Sequence, residues 1–230
     1  MNVKATEARI KDLEEKVRIL QDIEDIKRLQ KAYGYYLEHF MNDEIMDLFA
    51  DSPDLVLNGA KGGKDDLRKF FKNLKDLSQN PEFLHQAMQL SGIVDVSPDG
   101  KTAEGRWYSL GAVALPTGKG VRPISLNGIY TVEYVRENGK WKIKKLKFHP
   151  IILASPDEGW VKKERIATIT PGETGKRGPA KPLDSDARYP SGYIVPFHFN
   201  HPVTGKKTGE AKHNALMKQK HKVPKKKSQE

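Results

Sequence analysis

The chain reads as an α+β fold, helices first and strands after. Three observations carry that reading. Apolar residues recur at steps of three and four as far as Leu77, the spacing of helices. Beyond Pro81 the period changes to two, the spacing of strands. Two turn signals, Ser97-Pro98-Asp99-Gly100 and Glu137-Asn138-Gly139, cut that second half into an antiparallel meander. A curved, mixed, mainly antiparallel sheet packed on N-terminal helices makes a cone-shaped α+β barrel around one pocket, with an extended C-terminal strap after it.

Residues 1–21 read as a helical arm, with Ile10, Leu13, Val17 and Leu20 spaced as a short heptad seam out of phase with the apolar stripe of the next segment. Such an arm packs on a partner subunit or on its own domain. From Asp22 that second stripe begins, with Ile23, Ile26, Leu29, Tyr33 and Leu37 on one face. A short helix over Asn42–Ala50 comes next, then a strand at Asp54–Gly59 and a helix at Lys64–Leu77 with Leu67, Phe70, Phe71 and Leu74 inward. Strands are expected at His85–Val96, Thr102–Ala114, Ile124–Arg136 and Trp141–Leu153, closing a domain over residues 22–160. Residues 161–205 are rich in Gly and Pro and then, in SGYIVPFHFNHPVTG, in aromatics, which suits an extended strap docked on something. Residues 206–230 read as a basic, disordered tail.

Composition bounds the chemistry. There is no cysteine, which excludes disulfides, thiolate catalysis and cysteine metal sites. The start, MNVKATEARI, does not resemble a signal peptide, and no apolar run approaches a membrane span, so a cytoplasmic protein is expected. The net charge is +10, but nine lysines against Glu210 and Glu230 put +7 of it in the tail. The basicity is therefore no property of the folded domain. With no aromatic after Phe199 to stack on bases, nucleic acid is not the expected partner. The sequence Lys61-Gly62-Gly63-Lys64 lacks phosphate-loop spacing, and His198 and His201 have no nearby carboxylate to complete a metal site.

Tyr33, Tyr36 and Glu38 stand at the end of the helical stripe, where a purely packing helix would carry Leu or Ile. They either face a cavity or are core phenols and a solvated carboxylate. This stretch, together with Thr102–Tyr108 (TAEGRWY), Gly128–Tyr134 (GIYTVEY) and Trp141–Leu146 (WKIKKL), resembles the SnoaL-like branch of the nuclear transport factor 2-like superfamily. The likeness covers about residues 20–160. Enzymes of that branch include scytalone dehydratase, bile-acid 7α-dehydratase, polyketide cyclases and formaldehyde lyases of lignin-derived diarylpropanes. The Glu158-Gly159-Trp160 run and the late strap look closest to the lyase-like subgroup.

The resemblance implies a cofactor-independent lyase of aromatic-compound catabolism. It would eliminate water or formaldehyde from a hydroxylated aromatic or polycyclic substrate, working as a homo-oligomer (dimer or trimer). A non-catalytic binding or assembly module of the same fold is the alternative. Tyr33 and Glu38 match the helix positions of a tyrosine and an acid in the dehydratases. The family histidine falls near Ala87 or Met88, two or three residues from His85, and the family acid falls at Gly111. His85 is the candidate general base, with Tyr33, Glu38 and Asn127 beside it as catalytic candidates. Tyr36, Met88, Arg106, Tyr108 and His149 are the candidate substrate contacts. For each a bland reading stands alongside: a strand-edge Asn127, an exposed Arg106 on the convex face, a surface His149. Arg106 and Tyr108 share one sheet face and Trp107 takes the other, so the direction of Trp107 decides their role.

Overall fold

The computed structural model describes residues 3–57, 60–156 and 194–220. The chain divides into two compact units, Met1–Ala180 and Lys181–Glu230. In the first, the helices α1 (Val3–Glu38), α2 (Asn42–Leu48) and α3 (Lys64–Leu77) are joined by β1 (Phe49–Leu57) and β2 (Ala60–Gly62). Four long strands complete it: β3 (Leu84–Val96), β4 (Thr102–Thr117), β5 (Gly120–Glu137) and β6 (Lys140–Ala154).

The six strands form one sheet in the order β2-β1-β6-β5-β4-β3. Every neighbour is antiparallel except β1 and β6, which run parallel. The fold is thus α+β with a mixed, mainly antiparallel sheet. The barrel does not close, because β2 and β3 lie at opposite ends of the strand order.

Arm and domain share one helix, so the division at residue 21 marks no break in α1. Arm residues such as Ala5, Ala8, Leu13, Glu14 and Glu15 are strong helix formers, and nothing between them and Ile26 interrupts the turn. The helix ends where Phe40 takes a left-handed φ of 54°. Met41 N–H then reaches back to the Tyr36 carbonyl at 3.0 Å, satisfying an end carbonyl as a Schellman turn does. Asp22 anchors α1 to the sheet. Its carboxylate accepts from Arg18 at 2.9 Å and Trp141 Nε1 at 3.0 Å, and it pairs with Arg136. The Arg136 guanidinium also lies 4.7 Å over the Trp141 ring.

Strand alternation sorts the sheet into two faces. Ala103, Gly105, Trp107, Ser109 and Val113 of β4 are buried and face the helices, as do their partners Tyr134, Val132 and Tyr130 on β5. The core combines these with Ile26, Tyr33, Leu37, Ile45, Phe49, Leu67 and Phe71. Gly92, at a bulge in β3, lies under the Trp107 ring, and a Cβ there would meet an indole carbon at 2.1 Å. The opposite face exposes Met88, Leu90, Tyr108 and Leu110.

The second unit is described from Ile194. Its helix α4 (Glu210–Lys220) falls where the sequence suggests a disordered tail. Glu210 in its first turn accepts from Phe197 N–H at 3.4 Å and from the Thr208 hydroxyl. The Asn214 amide bonds both the N–H (2.9 Å) and the carbonyl (2.7 Å) of Ile194, clamping the aromatic segment onto α4. Residues 157–193 and 221–230, which carry most of the expected strap and the end of the tail, lie outside the described residues.

Candidate active site

The inner face of the sheet carries an unusual density of polar groups for a core. A relay of four hydrogen bonds crosses it. Trp107 Nε1 donates to the Tyr134 hydroxyl at 3.0 Å, and that hydroxyl donates to Gln30 Oε1 at 2.8 Å. Gln30 Nε2 donates to Gln89 Oε1 at 2.8 Å, and Gln89 Nε2 to the Ala87 carbonyl at 2.9 Å. Gln30 is fully buried, so these bonds offset a large desolvation cost. Gly34, one turn further along α1, brings the helix down on β3. A Cβ there would stand 3.0 Å from Gln89 Cγ.

Beside the relay sits a pair of phenols. Tyr33 is stacked edge-on against Phe49, Phe71 and Tyr130, with ring centroids 6.1 to 6.5 Å apart. The Tyr130 hydroxyl meets that of Tyr33 and the Gln89 amide, and the Ser109 hydroxyl nearby is buried without a hydrogen-bond partner. Burial pushes the Tyr33, Tyr130 and Tyr134 phenols well above their ordinary range. All three are proton donors at any working pH.

His85 is inward-facing on β3, four residues before Gln89 and so about 13 Å from it along the strand. It is 8% exposed, and its Nδ1 is buried without a hydrogen-bond partner. Burial lowers its pKa from the ordinary 6.5 to about 4. The imidazole is therefore neutral at physiological pH and a weaker base than a solvated one. Glu38, half-buried at the end of α1, accepts from Gln86 Nε2 at 3.1 Å. Tyr36 is half-buried against the core.

Trp107 points inward, which places Arg106 and Tyr108 on the outer face; Arg106 is buried there and Tyr108 is 54% exposed. Asn127 pairs with Leu110 in the register and shares that outer face. His149 comes directly after the inward Phe148, so it too is outward, with Nε2 3.0 Å from the Thr131 hydroxyl. Met88 is 40% exposed between the inward Ala87 and Gln89. These five therefore do not join Tyr33 and His85. A shift of one residue in strand phase reverses every side chain, and Trp107 sets that phase.

Sequence reasoning missed Gln30, Gln89, Ser109, Tyr130 and Tyr134. The available signals were a glutamine within the apolar stripe of α1 and the alternation Tyr130-Val132-Tyr134 along β5. Two family positions are closed by packing. A side chain on Gly111 would put its Cβ 1.9 Å from the Gln86 carbonyl oxygen, and Ala87 is 1% exposed beneath α1. His201 Nδ1 accepts from Val203 N–H at 3.1 Å and Thr204 N–H at 3.3 Å, shaping its own turn. Among the described residues no group of three His, Asp or Glu side chains is placed to hold a metal ion, and no helix is long and apolar enough to cross a membrane.

The family model of the SnoaL-like domain matches residues 18–147, more than half of the chain. The chain belongs to the SnoaL-like family. Solved structures agree with that fold. A protein proposed to be a scytalone dehydratase, from Novosphingobium aromaticivorans, is 20% identical, with a TM-score of 0.53 over 61% of this chain and 91% of its own. LinA is 16% identical, with a TM-score of 0.54 over 65% of this chain and 99% of its own. A type 2 hexachlorocyclohexane dehydrochlorinase is 17% identical, with a TM-score of 0.52 over 61% and 92%.

Proposed function

We propose that this SnoaL-like chain is a cofactor-independent lyase that eliminates a small molecule, water or formaldehyde, from a hydroxylated aromatic or polycyclic substrate. The observation that carries the reading is His85, a buried neutral imidazole with an unmatched Nδ1 on the same inner face as a protonated phenol pair. Nδ1 takes the substrate proton. The electrons left behind expel the leaving group, and the Tyr33–Tyr130 pair, beside Gln89 about 13 Å along the strand from His85, would hold the far end of a polycyclic substrate by hydrogen bonds. Glu38, half-buried at the end of α1, is the second candidate for moving a proton. Structural neighbours named for dehydration and dehydrochlorination, both eliminations, support the class of reaction.

A second reading, a binding module of the same fold, is favoured by one observation: the family dyad positions fall at Ala87 or Met88 and at Gly111, and Gly111 has no room for an acid. Mass spectrometry after incubation with phenolic diarylpropanes, hydroxysteroids and hydroxylated polyketides separates the two. A product lighter by water or formaldehyde, lost in His85→Ala and reduced in Glu38→Gln, is the expected result. Molecules that bind and are recovered intact would sink the lyase in favour of the module. Turnover unaffected by either substitution would overturn the site.

A further inference from the structure

We propose that the first three heptads of α1 form a parallel, two-stranded coiled coil with a second copy of this chain. Val3, Ile10 and Val17 occupy a positions and Leu13 and Leu20 d positions, with the polar Thr6 at the first d. Its five large apolar side chains are 50 to 67% exposed, so the described residues leave them on the surface. A few residues on, Ile26 of the same helix is fully buried against the sheet. The arm is an extension of a docked helix, and the docked half supplies the costly nucleus that a free peptide of this length would lack.

The residue types at the seam choose the partner and its direction. β-branched residues at a with leucine at d favour two parallel strands over three or four. The flanking positions carry charge of opposite sign, with Arg9 and Lys16 at g and Glu7 and Glu14 at e. In a parallel pair, g of one chain meets e of the next heptad on the other. Arg9 then faces Glu14 of the second copy, twice by symmetry. In an antiparallel pair g would face g and e would face e, opposing like charges. The arm is therefore complementary to itself in one orientation.

Sedimentation equilibrium of the full chain from low micromolar to submillimolar concentration is the test. The expected result is a reversible monomer–dimer equilibrium that Leu13→Lys with Val17→Lys abolishes, the far-UV spectrum of the domain being retained. Arg9→Glu with Lys16→Glu, and Glu7→Lys with Glu14→Lys, should each weaken self-association at least tenfold, and mixing the two variants should restore it as a heterodimer. Because the chain has no cysteine, Leu20→Cys gives a single thiol; its self-cross-linking on oxidation reports parallel strands. A monomer at every concentration, a trimer, a dimer in which Leu20→Cys fails to cross-link, or a dimer lost in Leu110→Glu on the outer sheet face but not in the arm variant, would each overturn the proposal.

Discussion

A buried imidazole with an unmatched nitrogen responds to acid differently from a solvated one, and that difference gives His85 a measurable signature. Above about pH 7 it is neutral in both the folded and the unfolded chain. Between 6.5 and about 4 the unfolded chain binds a proton that the folded chain refuses, so stability falls as pH falls across that window and levels off below it. The expected loss relative to His85→Gln is on the order of 2–3 kcal/mol, read from urea unfolding of both proteins at pH 7.5 and near pH 4. A difference that does not change with pH would mean that His85 is solvated. The tyrosines divide by the same logic. Tyr134→Phe leaves the Trp107 N–H and the Gln30 carbonyl oxygen without their partner, at a cost of about 2 kcal/mol or more, yet turnover per folded molecule should be kept. Tyr130→Phe removes a buried hydroxyl that contacts Tyr33 and the Gln89 amide, so under the proposed function it should lower both Tm and turnover, where Tyr134→Phe lowers Tm alone. None of this depth was legible in the residues alone. A stripe position held by Gln30 signals that something polar lies opposite, but its partner Gln89 is 59 residues away and only the packing of α1 on β3 identifies it.

Elements were far more legible than their faces. The helix at Lys64–Leu77 and the four long strands stand where periodicity and turn residues put them, because Asn138 and Gly139 have the positive φ that a tight hairpin needs and the alternation around them is clean. Alternation says which residues share a face, not which face meets the core. Arg106, Tyr108, Asn127, His149 and Met88 were for that reason open in the sequence and lie outward in the structure. The small residues Ala103 and Gly105 in line with Trp107 are the trace of the inner face that could have decided it. Likewise a change of seam phase near Asp22 does not break a helix; it marks where α1 stops being free and starts being docked. Asp22→Ala tests that hinge. It removes the partner of a partly exposed Arg136 and the acceptor of Trp141 Nε1, at a cost of about 2 kcal/mol. Arg18→Ala, at the more exposed end of the same cluster, should cost clearly less in the same denaturant experiment. Equal losses would mean that the Arg18 pair alone carries the anchor.

At the scale of the molecule, one continuous helix would tie the proposed self-association to the stability of the SnoaL-like domain. The seam from Val3 to Leu20 and the docked stripe from Ile26 to Leu37 belong to the same 36-residue element. A partner that holds the first stretch therefore adds to the stability of the second, as any ligand of the folded state does. Melting temperature should then depend on protein concentration once the chain is dimeric. A hundredfold increase is worth about 1.4 kcal/mol per chain, which for a protein of this length raises Tm by about 3 °C. The Leu13→Lys, Val17→Lys variant should melt at one temperature across the same range. If the wild type also melts independently of concentration while sedimenting as a dimer, the arms separate before the domain unfolds, and the coupling through α1 is broken near Asp22. Asp22→Ala distinguishes that case, because weakening the anchor lowers the domain's Tm directly and leaves the association constant of the arms unchanged.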